Sequence, residues 1–207
     1  AQVCEALGEA HAAGIVHRDV KPENVVLIQR PSHLGLVNPA PALEPGDVAE
    51  DFVKMVDFGV AKFVNNQARA SAVLGTPAYV APEMLAGEAL DGRSDLYAVG
   101  IMLWEMICGR LPFPGKNQAE MMNSHLYAPR VRPRDIGDPR LRSPALPEGL
   151  EDLMVALVAR DPKDRPRTAY ELRTQLLALV PACPVEIYRV PPPNGGPPWD
   201  PPPVASR

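Results

Sequence analysis

The sequence predicts a mainly α-helical domain with a few short β-strands. Three observations carry this. Apolar residues recur at helical spacing in five separate stretches, two short Val- and Ile-rich runs read as strands, and Pro-rich linkers separate the later helices. At 207 residues and 46% apolar content, the chain has material for one domain with a sizeable core.

Each element follows in order. Residues 1–13 carry Val3, Leu7 and Ala10 on one helical face, and Gly14 stops that helix. Val25–Ile28 and Phe52–Val56 are the strand runs. Between them, 29–50 is rich in Pro, Gly and Ala without periodicity and reads as an inserted surface loop. Helical patterns return at Arg93–Cys108, Gln118–Tyr127, Leu150–Arg160 and Ala169–Leu179. Met102, Leu103, Trp104 and Met106 read as the core of one buried helix; Met121, Met122 and Leu126 read as helix packing or a partner-docking face. The domain is expected to span 1–180. Residues 181–207 read as a Pro-rich disordered linker, because runs such as Pro191–Pro193 and Pro201–Pro203 cannot build a core.

Charge and cysteine usage exclude several classes. A net charge of −4 argues against a broad nucleic-acid or anionic-lipid surface. The arginines at 130, 132, 134, 140 and 142 are interrupted by Pro and Asp and read as a solvated loop. Three cysteines without a C-x-x-C pair give neither a disulfide framework nor a zinc site, which suits a reducing, cytoplasmic location. Leu96–Cys108 is too short and too interrupted to span a membrane, and residues 1–14 do not read as a signal peptide. His11 and His33 are isolated, a helix-face and a loop residue.

Three segments carry chemistry. His17-Arg18-Asp19-Val20-Lys21-Pro22-Glu23-Asn24 brings a carboxylate, an ammonium and an amide onto a loop before a strand. Phosphoryl transfer needs this set: a carboxylate to take a hydroxyl proton, a cation for the charge on the transferred group, and an amide oxygen for a hard cation such as Mg²⁺. Asp57-Phe58-Gly59 places a second carboxylate at a strand end. Gly75-Thr76-Pro77-Ala78-Tyr79-Val80-Ala81-Pro82-Glu83 is the third segment.

In this order the three segments resemble the protein-kinase signatures H-R-D-x-K-x-x-N, D-F-G and A-P-E. The likeness covers roughly residues 1–180 and is strongest to bacterial, eukaryotic-like Ser/Thr kinases. It implies the C-terminal lobe of a kinase domain that uses ATP and Mg²⁺ and acts on protein substrates. By the same resemblance Asp19 is the catalytic base and Lys21 contacts the γ-phosphate. Asn24 and Asp57 hold metal, and Val26 packs under adenine. Thr76 lies in the substrate-docking loop. His17, Phe58, Glu83, Asp95 and Arg165 are structural, with Glu83 paired to Arg165 and Asp95 bracing the catalytic loop. Lys21 favours Ser/Thr over Tyr specificity. Arg18 implies control by activation-loop phosphorylation, with Ser71 as the candidate site.

The sequence also departs from the family. No G-x-G-x-x-G occurs in these 207 residues, nor the strand Lys and helix Glu that accompany it. The expected partner is therefore the missing N-terminal lobe of a parent kinase, and the chain alone is expected to bind ATP weakly and transfer phosphate poorly. Two rival functions are a non-catalytic, pseudokinase-like docking module and a small-molecule phosphotransferase.

Overall fold

The computed structural model describes residues 1–31, 49–57, 77–136 and 146–179. Among these, helix α1 (Gln2–Ala12) leads into a loop and a short 3-10 turn (Pro22–Asn24). Strands β1 (Val25–Pro31) and β2 (Ala49–Met55) follow. After them come α2 (Pro82–Ala86), α3 (Gly92–Cys108), α4 (Gln118–Tyr127), α5 (Glu148–Leu157) and α6 (Ala169–Leu179).

Helix α3 is the axis. It is apolar nearly all round, and Leu96, Tyr97, Ile101 and Trp104 are fully buried. A helix without a polar face must be covered on every side. One side meets Cys4 and Leu7 of α1, Met55 of β2 and Leu172 of α6. The other meets Phe113, Leu150, Met154 and Val158. Asp91 caps the start of α3 by accepting a hydrogen bond from the Arg93 N–H at 2.8 Å.

Helix α1 ends in a way that aims the chain at the functional loop. Gly14 sits at φ +76°, which an L side chain resists. That turn lets the Gly14 N–H reach the His11 carbonyl and the Ile15 N–H reach Ala10, at 3.0 and 2.9 Å. These are the two bonds that close a helix C-terminus on a left-handed residue.

The strands form an antiparallel pair in which Val25 faces Met55 and Ile28 faces Phe52. Val25, Leu27, Val53 and Met55 thus share one face, and Val26, Ile28, Phe52 and Lys54 the other. The ladder runs on to Arg30↔Glu50 and Pro31↔Ala49, so the segment expected to be a loop over 29–50 is paired at both ends. Residues 32–48 lie outside the described residues, as do 181–207.

Other expectations need correction. Helix α5 starts at Glu148 and ends at Leu157, because Pro147 supplies an extended entry and Pro162 follows soon after. Met106 is 55% exposed and lies outside the core, unlike Met102 and Trp104 on the same helix. The arginine stretch is solvated at Arg132, which pairs with Asp152 at the surface, but Arg130 and Arg134 are anchored to the fold. Arg130 donates to the carbonyls of Val158, Ala128 and His125, each at 2.8 Å, and Arg134 grips the buried Glu151 carboxylate. Arg140 and Arg142 lie outside the described residues. Among the described residues no helix is long and apolar enough to cross a membrane.

Candidate active site

The loop between α1 and β1 carries His17, Arg18 and Asp19, and one carboxylate holds its backbone. Asp95, in the first turn of α3, is 1% exposed and accepts from the His17 N–H and the Arg18 N–H, both at 2.8 Å. A third bond comes from the His11 ring at 2.8 Å. A carboxylate only accepts, so the hydrogen sits on His11 Nε2. Arg18 is held at φ +64°, a conformation that costs roughly 1–2 kcal/mol for an L residue. The two N–H bonds to Asp95 keep it there.

His17 links this loop to the end of β2. Its ring is fully buried; Nδ1 accepts from the Asp19 N–H at 3.3 Å, so Nε2 carries the hydrogen and donates to the Val56 carbonyl at 3.1 Å.

Asn24 completes the join. Its Nδ2 donates to the Asp19 carbonyl at 2.7 Å and to Asp19 Oδ2 at 3.2 Å, while its own carbonyl accepts from the Val56 N–H at 3.0 Å. Lys21 Nζ lies 3.0 Å from the same Asp19 Oδ2. Asp57 follows Val56 at φ +54°, a second non-glycine residue in the left-handed region. Both such residues flank the same cluster. Such strain persists only where the surroundings over-determine it, and it gathers at functional sites.

The donor set suits a hard cation. With Nδ2 engaged by Asp19, Asn24 presents Oδ1, and Asp57 presents an exposed carboxylate one residue from the Asn24–Val56 bond. Among the described residues no group of three or more His, Cys, Asp or Glu could hold a metal. Mg²⁺ does not require one, since it is commonly bound by one or two side chains, with water and phosphate oxygens filling the remaining positions.

A narrow cleft opens beside Asp19. Asp19 and Lys21 line one side, and Tyr79, Val80 and Ala81 the other. The Tyr79 hydroxyl donates to Glu105 Oε2 at 2.5 Å. Burial, the Glu105 hydrogen bond and the nearby acidic charges push the phenol pKa well up, so Tyr79 stays a neutral donor. Behind this wall, Arg165 clasps Glu83 through both terminal nitrogens, at 2.7 and 2.8 Å, and the Ser94 hydroxyl adds a bond at 2.7 Å.

The sequence matches the protein kinase domain family over residues 1–177. The chain belongs to the protein kinase family. It is 38% identical over 167 residues to the serine/threonine-protein kinase Pkn1 of Myxococcus xanthus, covering 79% of this chain and 21% of that one. It is 37% identical over 185 residues to pkn3 of the same organism, covering 86% and 30%. To the serine/threonine-protein kinase PknB of Mycobacterium tuberculosis it is 31% identical over 194 residues, covering 92% and 27%. The chain thus spans between a fifth and a third of the length of these relatives. It is a Ser/Thr kinase domain of the bacterial, eukaryotic-like type, and the described part is the mainly helical lobe of such a domain.

Within this kinase lobe His17, Asp19, Lys21, Asn24 and Asp95 form one bonded group, and Asp57 adjoins it through Val56. Val26 is 41% exposed on the outer face of the hairpin. Glu83 and Arg165 form a buried ion pair at 2.7 Å. Phe58, Ser71 and Thr76 lie outside the described residues. Sequence reasoning missed His11, whose ring is spent on Asp95. Its spacing of four from the buried Leu7 was the available signal, since that places it on the inward face of α1.

Proposed function

We propose that this chain supplies the catalytic half of a Ser/Thr protein kinase, which moves the γ-phosphate of ATP to a Ser or Thr hydroxyl of a protein. The reading is carried by Asn24, whose side chain fixes the Asp19 carboxylate while its backbone holds the residue before Asp57. Asp19 orients the acceptor hydroxyl and takes its proton as the oxygen bonds to γ-phosphorus. The bond from γ-phosphorus to the bridging oxygen breaks, and its electron pair leaves on ADP. Lys21, freed from Asp19 by the incoming phosphate, neutralises charge on the transferred group. Asn24 Oδ1 and the Asp57 carboxylate would hold Mg²⁺, which supplies charge neutralisation on the phosphate oxygens. Val26 would pack beneath adenine, and Thr76 would sit beside the acceptor segment. Ser71 is the candidate site of activating phosphorylation, with Arg18 as its counter-charge; mass spectrometry of active protein without phosphate on Ser71 would remove that role.

The Gly-rich loop and the strand lysine that grip the α- and β-phosphates in this family are not among these 207 residues. A polypeptide of these residues alone therefore binds ATP weakly and transfers slowly, and an N-terminal kinase lobe is its partner in catalysis. Cys4 and Cys108 are both buried in the core rather than set out for disulfide exchange, which suits a reducing cytoplasm. The test is phosphate transfer from labelled ATP to a generic protein substrate, comparing the 207 residues alone with the same residues joined to an N-terminal kinase lobe, each with and without Asp19→Asn. Transfer by the joined form that falls at least ~10²-fold in Asp19→Asn supports the reading. Transfer indifferent to Asp19 sinks it, and no transfer by the joined form leaves a docking module as the better account.

A further inference from the structure

His125 is fully buried in α4 and takes no part in the chemistry described above. Its Nδ1 accepts from the Tyr97 hydroxyl at 2.6 Å. Burial pushes that phenol's pKa up, so Tyr97 keeps its proton and is the donor. The hydrogen of the neutral ring therefore sits on Nε2. The ring is boxed in: Phe113 meets it edge-on at 5.2 Å, Arg130 stacks over Phe113 at 4.6 Å, and Arg130 also bonds the His125 carbonyl at 2.8 Å. Burial and the Arg130 charge together lower the imidazole pKa to about 4, so the ring is neutral at physiological pH.

Nε2 itself is buried and lacks a bond of ordinary geometry among the described residues. Helix α4, which carries it, packs on the turn that contains Ala78, and the Ala78 backbone partly offsets the lowering of the ring's pKa. Ala78 is the centre of the 3-10 turn Pro77–Tyr79, which packs on α3 and α4 and leads directly into the wall opposite Asp19. A buried donor without a full partner is costly, and the backbone of this turn is the polar group that α4 sets beside it.

We infer that His125 is a positioning residue for the protein acceptor: fixed by Tyr97, it supports the turn Pro77–Tyr79 from the α4 side and so sets the wall along which the acceptor reaches Asp19. The inference rests on the kinase reading of the cleft.

Two variants separate positioning from bulk packing in the full-length protein that carries this chain. His125→Asn keeps an acceptor near Tyr97 and withdraws the donor from Ala78. His125→Gln reaches toward Ala78 with an amide N–H. His125→Asn should raise KM for a peptide acceptor about fivefold, the worth of one hydrogen bond, with KM for ATP and ATP hydrolysis unchanged. His125→Gln should recover most of that loss. Hydrogen exchange at the Ala78 and Tyr79 amides should quicken in His125→Asn and not in His125→Gln. Unchanged peptide KM and unchanged exchange in His125→Asn overturn the inference, as does an equal loss of peptide transfer and ATP hydrolysis in both variants. If the wild-type protein transfers no phosphate at all, the kinase reading fails, and exchange at Ala78 and Tyr79 still decides whether His125 holds the turn.

Discussion

Arg165 holds Glu83 through two nitrogens at 2.7 and 2.8 Å, in a place where the two side chains are 0% and 3% exposed. The pair ties the start of α2 to the loop before α6, and Arg165 also bonds the carbonyls of Arg93, Ala159 and Arg160. Its guanidinium lies 4.8 Å over the Tyr97 ring. Every hydrogen-bonding direction of the cation is used, which is the condition under which a buried ion pair is tolerated.

Breaking that pair from one side should be severe. Arg165→Met leaves the Glu83 carboxylate buried without its counter-charge, at a cost of about 3–5 kcal/mol in denaturant unfolding. A double variant, Glu83→Leu with Arg165→Met, should recover a large part, because no stranded charge remains. Burial pushes the Glu83 carboxyl up, but the hydrogen bonds and charge of Arg165, with Ser94, outweigh it and hold the pKa below its ordinary value. A depressed carboxyl stabilises the fold above its unfolded pKa, about 4.3, and that stability is lost as pH falls through the folded value. The acid limb below about pH 4 should therefore be steep in the wild type and flatten in the double variant.

The Asp95 carboxylate faces three donors: the His17 N–H, the Arg18 N–H and His11 Nε2–H. Asp95→Asn keeps the shape but turns an N–H toward at least one of them. It should cost about 2–3 kcal/mol in stability, nearly as much as Asp95→Ala. Phosphate transfer should fall with it, because the loop at Arg18 then loses part of the clamp that keeps it at φ +64°. Parallel unfolding and transfer assays check this; an Asp95→Asn protein of wild-type stability would contradict the clamp.

How far the sequence revealed this site depends on where each partner lies along the chain. Asp19, Lys21 and Asn24 fall within one eight-residue segment, so their chemistry was readable directly. Glu83 and Arg165 were paired only through the family resemblance, since they lie 82 positions apart. The long helices were legible because α3 is apolar over most of its length and α6 buries Ala169 and Leu172 at helical spacing, while α4 keeps Met121, Met122 and Leu126 half-buried. Helix α2 escaped notice because five residues are too few to show a period, and its start is set by Pro82. His11, Arg130 and Arg134 were misread for another reason. A polar side chain reads as solvent-facing until its partner is known, and their partners lie 84, 28 and 17 positions away. Only the closed fold puts Asp95, Val158 and Glu151 beside them.

Gly92 shows how tightly that closure is drawn. A Cβ at this position would lie 2.5 Å from His11 Nδ1. The helix-propensity gain of Gly92→Ala, up to about 1 kcal/mol, should be reversed by the clash with a ring that Asp95 holds in place. We expect net destabilisation of about 1–2 kcal/mol, relieved when His11 is also cut back to Ala. A Gly92→Ala protein more stable than wild type would mean that His11 is free to swing away.

The pH dependence of stability between about pH 6.5 and 4, above the Glu83 limb, should carry a contribution from His125. Its folded pKa of about 4 lies below the ordinary 6.5, because burial and the Arg130 charge both disfavour the imidazolium. Between these values the unfolded chain binds a proton that the folded chain refuses, so stability falls as pH drops from about 6.5 to about 4. The full shift corresponds to roughly 3 kcal/mol, and below pH 4 this contribution stays constant. The other groups about the ring do not titrate here: Arg130 stays cationic, and the Tyr97 phenol has its pKa pushed up, away from this range. His125→Gln should flatten the stability profile across this window while leaving the Glu83 limb below pH 4 in place. A wild-type profile already flat from pH 6.5 to 4.5 would mean that His125 is protonated or solvated in the folded protein.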